Sequence, residues 1–352
     1  MSFRIPSRGA TRAVERGIDG LCSLPSVSAR TWATDRTKQP AEREAATTEE
    51  PELKWHKYTA YGLGIHSELP LPELMTGSEA KCDVVIRLRR IAHRLGDADR
   101  TYTYFQVAAD EAFLRWDSVG TFLARSGREI VVEPAPGAGE QDVRRVLESV
   151  VLGAIAHQRG MLALHATAVM IHGEAVAFLA AKREGRFAIA AALHARGHAL
   201  LADDLLVLAG SSTERVSVLP GFSQLRLRPS ARVTGAPHGR SPDHDRGSFP
   251  LRCLYVLKRG TSLARGTLSR REALVSVIRD SYAARMFPQS LWGVKASAHF
   301  VRCAALVDSV PIYRLEQPAS LAVLPSSVRM VEDQLVGSPQ GAASPVDRRV
   351  TT

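Results

Sequence analysis

The chain has 352 residues, of which 45% are hydrophobic, and its 46 Lys and Arg outnumber its 36 Asp and Glu, for a formal net charge of +10. This length and apolar content allow a substantial buried core and suit one large or two modest domains. No apolar run approaches the about 20 residues that a membrane-spanning helix needs, and the N-terminal stretch lacks the apolar segment of a secretory signal. We therefore expect a cytoplasmic protein with no membrane partner.

The two ends of the chain differ in composition from the rest. Residues 1–53 are rich in Arg, Ala, Ser and Thr and poor in large apolar side chains, and residues 336–352 are similarly polar. Segments of this composition bury too little apolar surface to offset the entropy lost on ordering. We predict a disordered leader over 1–53 and a disordered tail over 336–352.

Short apolar or alternating runs follow one another in the first folded part of the chain. They lie at 84–88, 102–105, 113–116 and 130–132. Runs of this length, broken by glycines, are typical of strands joined by turns. The pattern predicts a small, mostly antiparallel β subdomain over 54–138, and the Pro- and Gly-rich stretch 134–139 marks its end.

The second part, residues 139–335, mixes helices and strands. Apolar residues at helical spacing predict a helix over 143–155. Ser269 with Glu272 three residues later has the pattern of a capping box and predicts the start of a helix that continues through Tyr282. Further runs predict a helix and two strands, at 296–307, 254–257 and 312–315.

The centre of this second part has the frame of a P-loop, in which a strand, a turn of the form G-x-x-x-x-G-K-[ST] and a helix receive phosphates at the helix N-terminus. An apolar run at 174–179 predicts the strand, and the Ala-rich stretch 187–196 predicts the helix. Between them the turn reads AAKREGRF over 180–187. The frame is therefore present, but most of the defining residues of the turn are replaced.

Each replacement has a physical meaning. Ala180 stands where the first Gly would be, although Gly185 keeps the second. Arg186 takes the Lys position with a planar and longer cation, and Phe187 replaces the hydroxyl that would contact magnesium. The turn still carries enough positive charge to attract an anion. The candidate nucleotide-binding residues are Lys182, Arg183, Glu184, Gly185 and Arg186; the alternative is a turn that only joins a strand to a helix.

Two adjacent acids, Asp203 and Asp204, follow the apolar run 200–202. Acids at the end of a buried strand are costly unless they meet a cation, a substrate proton or solvent. In a phosphotransferase one would hold a metal ion, and the other would take the proton from the attacking hydroxyl. The alternative is a solvated turn without chemistry.

These stretches resemble the HPr serine kinase/phosphorylase family, and more closely the HPr-kinase-related proteins of bacteria, some of which are found beside clusters for ribosomally made, modified peptides. The resemblance covers residues 55–335. It rests on LHATAV at 164–169, the hairpin through His172 and Gly173, the altered loop, GHALLADD at 197–204, and further matches at 61–63, 67–72 and 219–227.

The resemblance implies an α/β P-loop fold, related to phosphoenolpyruvate carboxykinase and to the C-terminal domain of HPr kinase, after the small β subdomain. It also implies transfer of a phosphoryl group from ATP, with Mg²⁺, to a serine on a peptide or small protein. His165 would lie near the reacting phosphate. Asp203 and Asp204 would serve as metal contact and acid/base, with Asp203 the candidate metal ligand.

Three departures from the family pattern bear on activity. The loop lysine is Arg186, the loop hydroxyl is Phe187, and the metal-binding Glu after the acid pair has no counterpart in 224–228. Losing one preorganised electrostatic contact commonly costs on the order of 3 kcal/mol of barrier. The sequence thus indicates an impaired or altered serine phosphotransferase, or, as the alternative, a catalytically inactive relative that binds a peptide or partner.

Positive charge is concentrated in the C-terminal half. Residues 221–302 contain fifteen Arg and Lys against four Asp and Glu. Such a region suits ATP phosphates or an acidic peptide, and a nucleic-acid binder is a third function class. The absence of a recognised nucleic-acid motif and the few aromatic residues there disfavour that class. Association of the chain with further copies of itself stays open.

Overall fold

The computed structural model describes residues 54–77, 81–91, 103–107, 110–180, 185–210, 215–221, 247–286 and 294–336. Within these residues the protein is a mixed α/β structure with two sheets and several helices. The predicted leader over 1–53 and the predicted tail beyond Val336 lie outside the described residues.

The first sheet has eight strands in the order β3-β1-β2-β4-β8-β7-β6-β5. Five of its seven pairings are antiparallel, and β4 runs parallel to β2 and β8, so the sheet is mostly antiparallel as its strand pattern predicts. Its strands are β1 (His56–Ala60), β2 (Leu63–Ser67), β3 (Met75–Thr76), β4 (Val84–Leu88), β5 (Thr103–Val107), β6 (Glu111–Trp116), β7 (Gly120–Arg125) and β8 (Glu129–Pro134).

The second sheet has nine strands. Seven follow the order β12-β10-β11-β15-β14-β13-β9, while β17 lies beside β15 and β16 pairs with β17. Strands β11, β15 and β17 are parallel to one another. Its strands are β9 (Leu162–Leu164), β10 (Ala166–Ile171), β11 (Glu174–Ala180), β12 (Ala199–Ala202), β13 (Leu206–Ala209), β14 (Ser217–Leu219), β15 (Phe249–Arg259), β16 (Ala264–Thr267) and β17 (Ile312–Gln317).

Seven α-helices complete the described part of the chain. They are α1 (Glu140–Val146), α2 (Leu152–Gln158), α3 (Arg186–Ala195), α4 (Arg270–Arg279), α5 (Tyr282–Met286), α6 (Val294–Ser309) and α7 (Leu324–Val336). A π-helical turn, Leu147–Val151, joins α1 to α2, so the helix predicted over 143–155 is present with a local widening. None of these helices is both long and apolar enough to cross a membrane.

The second sheet lies between two helical layers. Alternate residues of β11 point to opposite faces, as strand geometry requires: Ala177 and Leu179 pack in the core that includes residues of α4 and α6, while Val176 and Phe178 pack in the core that includes residues of α3 and α7. The small alanines of β11 let the helices approach the sheet closely. This arrangement explains why the run at 174–179 is apolar on both faces.

The first sheet packs against the helical stretch from α1 to α2. Val143, Leu147 and Ile155 share one apolar core with residues of the first sheet such as Ile65 and Phe122. Leu205 and Val207, at the start of β13, belong to the same core. Buried apolar contacts therefore join the first sheet to the second. They connect residues on both sides of position 138, the predicted end of the β subdomain.

The helix predicted to begin at Ser269 is confirmed at its start but ends earlier than expected. Ser269 forms a complete capping box with Glu272. The helix ends at Arg279, and Tyr282 begins the separate helix α5. The break is at Asp280 and Ser281: the Asp280 side chain is buried, and Ser281 pairs with Leu164 beside the sheet. Tertiary contacts thus override the continuous helical spacing.

Candidate functional site

The described residues among those singled out by the sequence meet at one edge of the second sheet. Strand β12 is antiparallel to β10, which is antiparallel to β11. The carboxyl ends of β11 and β12 therefore lie at the same edge as the start of β10, which His165 precedes. Crevices at the carboxyl ends of strands are where α/β sheets bind ligands. Arg186 and the acid pair Asp203 and Asp204 lie at this edge.

The turn between β11 and α3 is described only at its end. Lys182, Arg183 and Glu184, three of the predicted nucleotide-binding residues, lie outside the described residues. Gly185 caps α3 with φ of +91°, a backbone conformation that glycine adopts without strain. A Cβ at this position would lie 2.9 Å from Nε2 of Gln317, at the end of β17. The backbone angle therefore favours glycine here, and a side chain would also displace the Gln317 amide.

Arg186, at the first position of α3, is bonded to the acid pair. Its Nη2 donates to Asp204 Oδ1 at 2.5 Å, and its Nη1 donates to the carbonyl oxygen of His165 at 2.7 Å. The Arg186 and Asp204 side chains are 13% and 26% exposed, so water screens this ion pair less than it screens a surface pair. The position where a P-loop has its lysine thus holds a cation that already has two partners in the protein.

The backbone of Asp204 has the left-handed conformation, with φ of +68°. Aspartate tolerates this region better than most residues, but it still costs on the order of 1 kcal/mol. His165 Nδ1 donates to the Asp204 carbonyl oxygen at 3.1 Å. The Tyr282 hydroxyl oxygen lies 3.4 Å from the same carbonyl oxygen, but its proton is donated to the Ser149 carbonyl oxygen at 2.7 Å. The conformation turns the Asp204 carboxylate to within reach of Arg186.

His165 is buried and bonded through its backbone and its ring. Its N–H donates to the carbonyl oxygen of Asp280 at 2.7 Å. Because the Asp204 carbonyl oxygen can only accept, Nδ1 carries the proton in the 3.1 Å bond between them, and Nε2 has the lone pair. The ring also packs edge-on against Tyr282, with centroids 6.3 Å apart.

Burial lowers the pKa of His165 from 6.5 to about 3, and the Arg186 guanidinium acts in the same direction, against the opposing effect of Asp204. The imidazole is therefore neutral at physiological pH. Its Nδ1 lies 3.9 Å from Asp204 Oδ1, but a neutral ring forms no ion pair with that carboxylate.

This pKa shift makes folding stability depend on pH. Below pH 6.5 the unfolded chain binds a proton at His165, whereas the folded chain does so only near pH 3. Stability from this group is therefore complete above pH 6.5 and falls as the pH drops toward 3, and going from pH 7 to pH 5 is expected to cost about 2 kcal/mol. Urea unfolding at the two pH values measures this difference.

The matched variant for this prediction is His165→Asn, whose amide can still donate to the Asp204 carbonyl oxygen but does not titrate. Other groups contribute equally to the pH dependence of both proteins. The variant is expected to lose less stability than the natural chain on acidification. Equal losses in the two proteins would contradict the shifted pKa of His165.

Asp203 directly follows β12 and contacts β10. Its Oδ1 accepts a long hydrogen bond, 3.4 Å, from the hydroxyl of the buried Thr167. Among the described residues, no group of three His, Cys, Asp or Glu is arranged to hold a metal ion. Asp204 is neutralised by Arg186, and Phe187 offers no ligand atom, so these donors do not fit a resident Mg²⁺ ion. Asp203 stays a predicted metal contact.

Comparison with known proteins adds little to this geometry. No protein-family model matches the chain, and no curated protein matches it. Among solved structures, it is similar to the HPr(Ser) kinase/phosphatase from Coxiella burnetii, at 12% identity and a TM-score of 0.26, over 50% of this chain and 99% of that one. A TM-score this low carries no argument about fold or activity.

Tyr282 links the site to the helical stretch under the first sheet, which the sequence did not indicate. Its hydroxyl donates to the carbonyl oxygen of Ser149, in the π-helical turn, at 2.7 Å. The ring lies against Gly153, where a Cβ would come within 2.7 Å of it. A π-helical turn frequently marks a functional region, but its position could not be read from the helical spacing of 143–155.

Asp280 and Arg285 form a second ion pair beside the site. Asp280 Oδ1 accepts from Arg285 Nη1 at 3.1 Å, and Oδ2 accepts from Arg279 Nη2 at 2.6 Å. The carbonyl oxygen of the same aspartate receives the N–H of His165. Asp280 thus connects the end of α4 to the candidate site. A single Asp in a helical pattern gave no signal of this role.

Proposed function

We propose that this chain is a kinase-related protein whose phosphate site has become a self-neutralised charge cluster, and that it acts by binding a peptide or small protein instead of transferring a phosphoryl group. The short ion pair between Arg186 and Asp204 is the observation that carries the proposal. The resemblance to HPr kinases in GHALLADD and the strand-turn-helix frame supports the kinase ancestry.

The charge pairing of Arg186 bears directly on phosphoryl transfer. That reaction depends almost entirely on positioning and on neutralising the phosphate charge with metal ions and cationic side chains. Here the cation at the loop position is bonded to Asp204 and to the His165 carbonyl oxygen. Turning Arg186 toward a phosphate would leave the partly buried Asp204 carboxylate without that partner, which opposes nucleotide binding.

The second candidate is the ATP-dependent serine phosphotransferase. The observation in its favour is the neutral imidazole of His165, whose Nε2 lone pair lies on a buried ring next to the acid pair. A neutral imidazole can accept the proton of an attacking serine hydroxyl, but a pKa of about 3 makes His165 a weak base at neutral pH. This candidate needs bound MgATP, and the charge pairing of Arg186 opposes that.

Titration of MgATP into the full chain, followed by calorimetry, separates the two candidates. The proposal predicts no saturable heat and no release of inorganic phosphate above that of buffer. Micromolar binding that is abolished by Asp203→Asn would overturn it and support the phosphotransferase. Circular dichroism of each protein checks that it is folded.

A gain-of-binding variant gives the matched control. Arg186→Lys combined with Phe187→Ser restores the lysine and hydroxyl of the G-K-[ST] motif. If these two replacements block the nucleotide, the double variant is expected to bind MgATP more tightly than the natural chain. A folded double variant that still does not bind MgATP would show that these two loop substitutions are not what prevents binding.

A further inference from the structure

Helices α4 and α6 lie side by side and antiparallel. At one end Arg270 forms two hydrogen bonds to Asp308, at 2.7 and 2.8 Å. At the other end His299 on α6 contacts the Ser281 hydroxyl, just beyond α4, at 3.0 Å. Their inner faces pack on the second sheet within one apolar core. Their outer faces form a continuous surface of two helices, which we call the helix-pair surface.

The helix-pair surface exposes large apolar side chains. Within the described residues, four such side chains are markedly exposed, and three of them lie here: Val275 at 58%, Phe300 at 50% and Val301 at 63%. The fourth, Leu321, lies just before α7. Single exposed apolar residues are common on proteins, but a group on two adjacent helices is a mark of a binding surface.

The charge of the same surface is positive. The two helices carry five Arg and Lys against two Asp and Glu. Arg270 is paired with Asp308 and Arg279 with Asp280, so the positive excess is smaller than this count. Both acids already have partners on the protein: Glu272 bonds Ser269, and Asp308 bonds Arg270. The exposed basic residues Arg271 and Arg302 flank the apolar side chains in the sequence. An apolar patch with a basic surround is complementary to a partner that is apolar at its centre and acidic at its edges.

We infer that the helix-pair surface binds an acidic amphipathic helix of a partner protein. A helix laid on two others by its apolar face is a recurrent mode of recognition. A second copy of this chain fits less well, because it would bring the same basic residues against each other. The three apolar anchors make a small interface, so the binding is expected to be of micromolar affinity.

This inference rests on the proposed binding function and names its surface. Helix α4 leads directly into Asp280, whose carbonyl oxygen accepts the N–H of His165. The proposed partner would therefore bind on an element that contacts the candidate site. The surface itself involves neither Arg186 nor the acid pair, so it can be tested separately from the nucleotide question.

The test uses a fluorescein-labelled synthetic helix of about 18 residues, long enough to form a helix on binding, with leucines along one face and glutamates elsewhere. Fluorescence anisotropy with the full chain is expected to show saturable binding that weakens as salt rises. A matched peptide with lysine in place of glutamate is expected to bind at least about tenfold more weakly.

Exposed positions supply the variants, so folding is not at stake. Phe300→Ser with Val301→Ser is expected to weaken binding about tenfold or more. Leu321→Ser, which removes an equally exposed leucine elsewhere, is the matched control and is expected to leave affinity unchanged. Charge reversal at Arg271 and Arg302 to Glu is expected to shift preference toward the lysine peptide.

Several outcomes would overturn the inference. They are equal affinity for the two peptides, no binding at all, the same loss in the Leu321→Ser control, and tighter binding of a short DNA duplex than of the acidic peptide. Sedimentation showing a dimer that Val301→Ser dissociates would assign the surface to a second copy. Turnover of MgATP would contradict the proposed function while leaving peptide binding to decide this surface.

Discussion

Replacing Asp280 with alanine is expected to lower the free energy of unfolding by about 3 kcal/mol, because the buried carboxylate that accepts hydrogen bonds from two arginines is lost. The Asp280 side chain is 0% exposed and accepts from both Arg279 and Arg285. After the change Arg285, whose side chain is 22% exposed, stays partly out of water, whereas Arg279, at 44%, can turn to solvent. Urea unfolding at neutral pH measures the loss.

The ion pair between Asp308 and Arg270 provides a control that differs mainly in its burial. Asp308 forms an equally well-aligned pair with Arg270, but the two side chains are 51% and 67% exposed. Exposed pairs of this kind contribute little, because solvent screens them and both side chains lose freedom in forming them. Asp308→Ala is therefore expected to leave the unfolding midpoint almost unchanged. Equal losses for Asp280→Ala and Asp308→Ala would show that burial does not decide the effect.

Replacing Arg186 with methionine is expected to destabilise the protein by about 3 kcal/mol, because the Asp204 carboxylate then loses its partner in a partly buried place. The His165 carbonyl oxygen loses a donor at the same time. This result would be unusual for the lysine position of a P-loop, where the side chain serves the nucleotide. It therefore links the stability of the fold to the proposed loss of phosphate binding.

A double-mutant cycle isolates this pair. Asp204→Asn removes the carboxylate charge, and combined with Arg186→Met it is expected to cost clearly less than the two single changes together. Arg115→Met, which breaks an exposed pair to Asp117 at 3.0 Å, controls for loss of an arginine as such. Additive costs for Arg186 and Asp204 would contradict the ion pair as the reason for the effect.

The elements predicted from sequence are those held by local interactions. The capping box at Ser269 depends on atoms three residues apart, and it is present as predicted. The apolar runs of the first sheet, the strand Glu174–Ala180 and the helix Arg186–Ala195 also agree with their patterns. Each signal lies within a short stretch of chain, so propensity and periodicity suffice to read it.

The structure brings some of the predicted site residues together, but their bonding was not predicted. His165, Arg186 and Asp204 were each named as candidates, and they lie together at one edge of the sheet. That Arg186 would bond the acid instead of facing the turn could not be read from residue types. Tyr282, which contacts the Asp204 carbonyl oxygen from 78 positions further along the chain, had no local signal at all.

By itself, the sequence determined the strand-turn-helix frame, the replaced loop residues and the position of the acid pair, since all of these are properties of neighbouring residues. Only the tertiary structure decided which charges meet and how far water reaches them. Electrostatic energy depends on the distance between charges and on their burial, and the order of residues along the chain gives neither quantity. For that reason the sequence motifs could only suggest a phosphotransferase as an expectation, whereas the folded chain places Arg186 in an ion pair with Asp204.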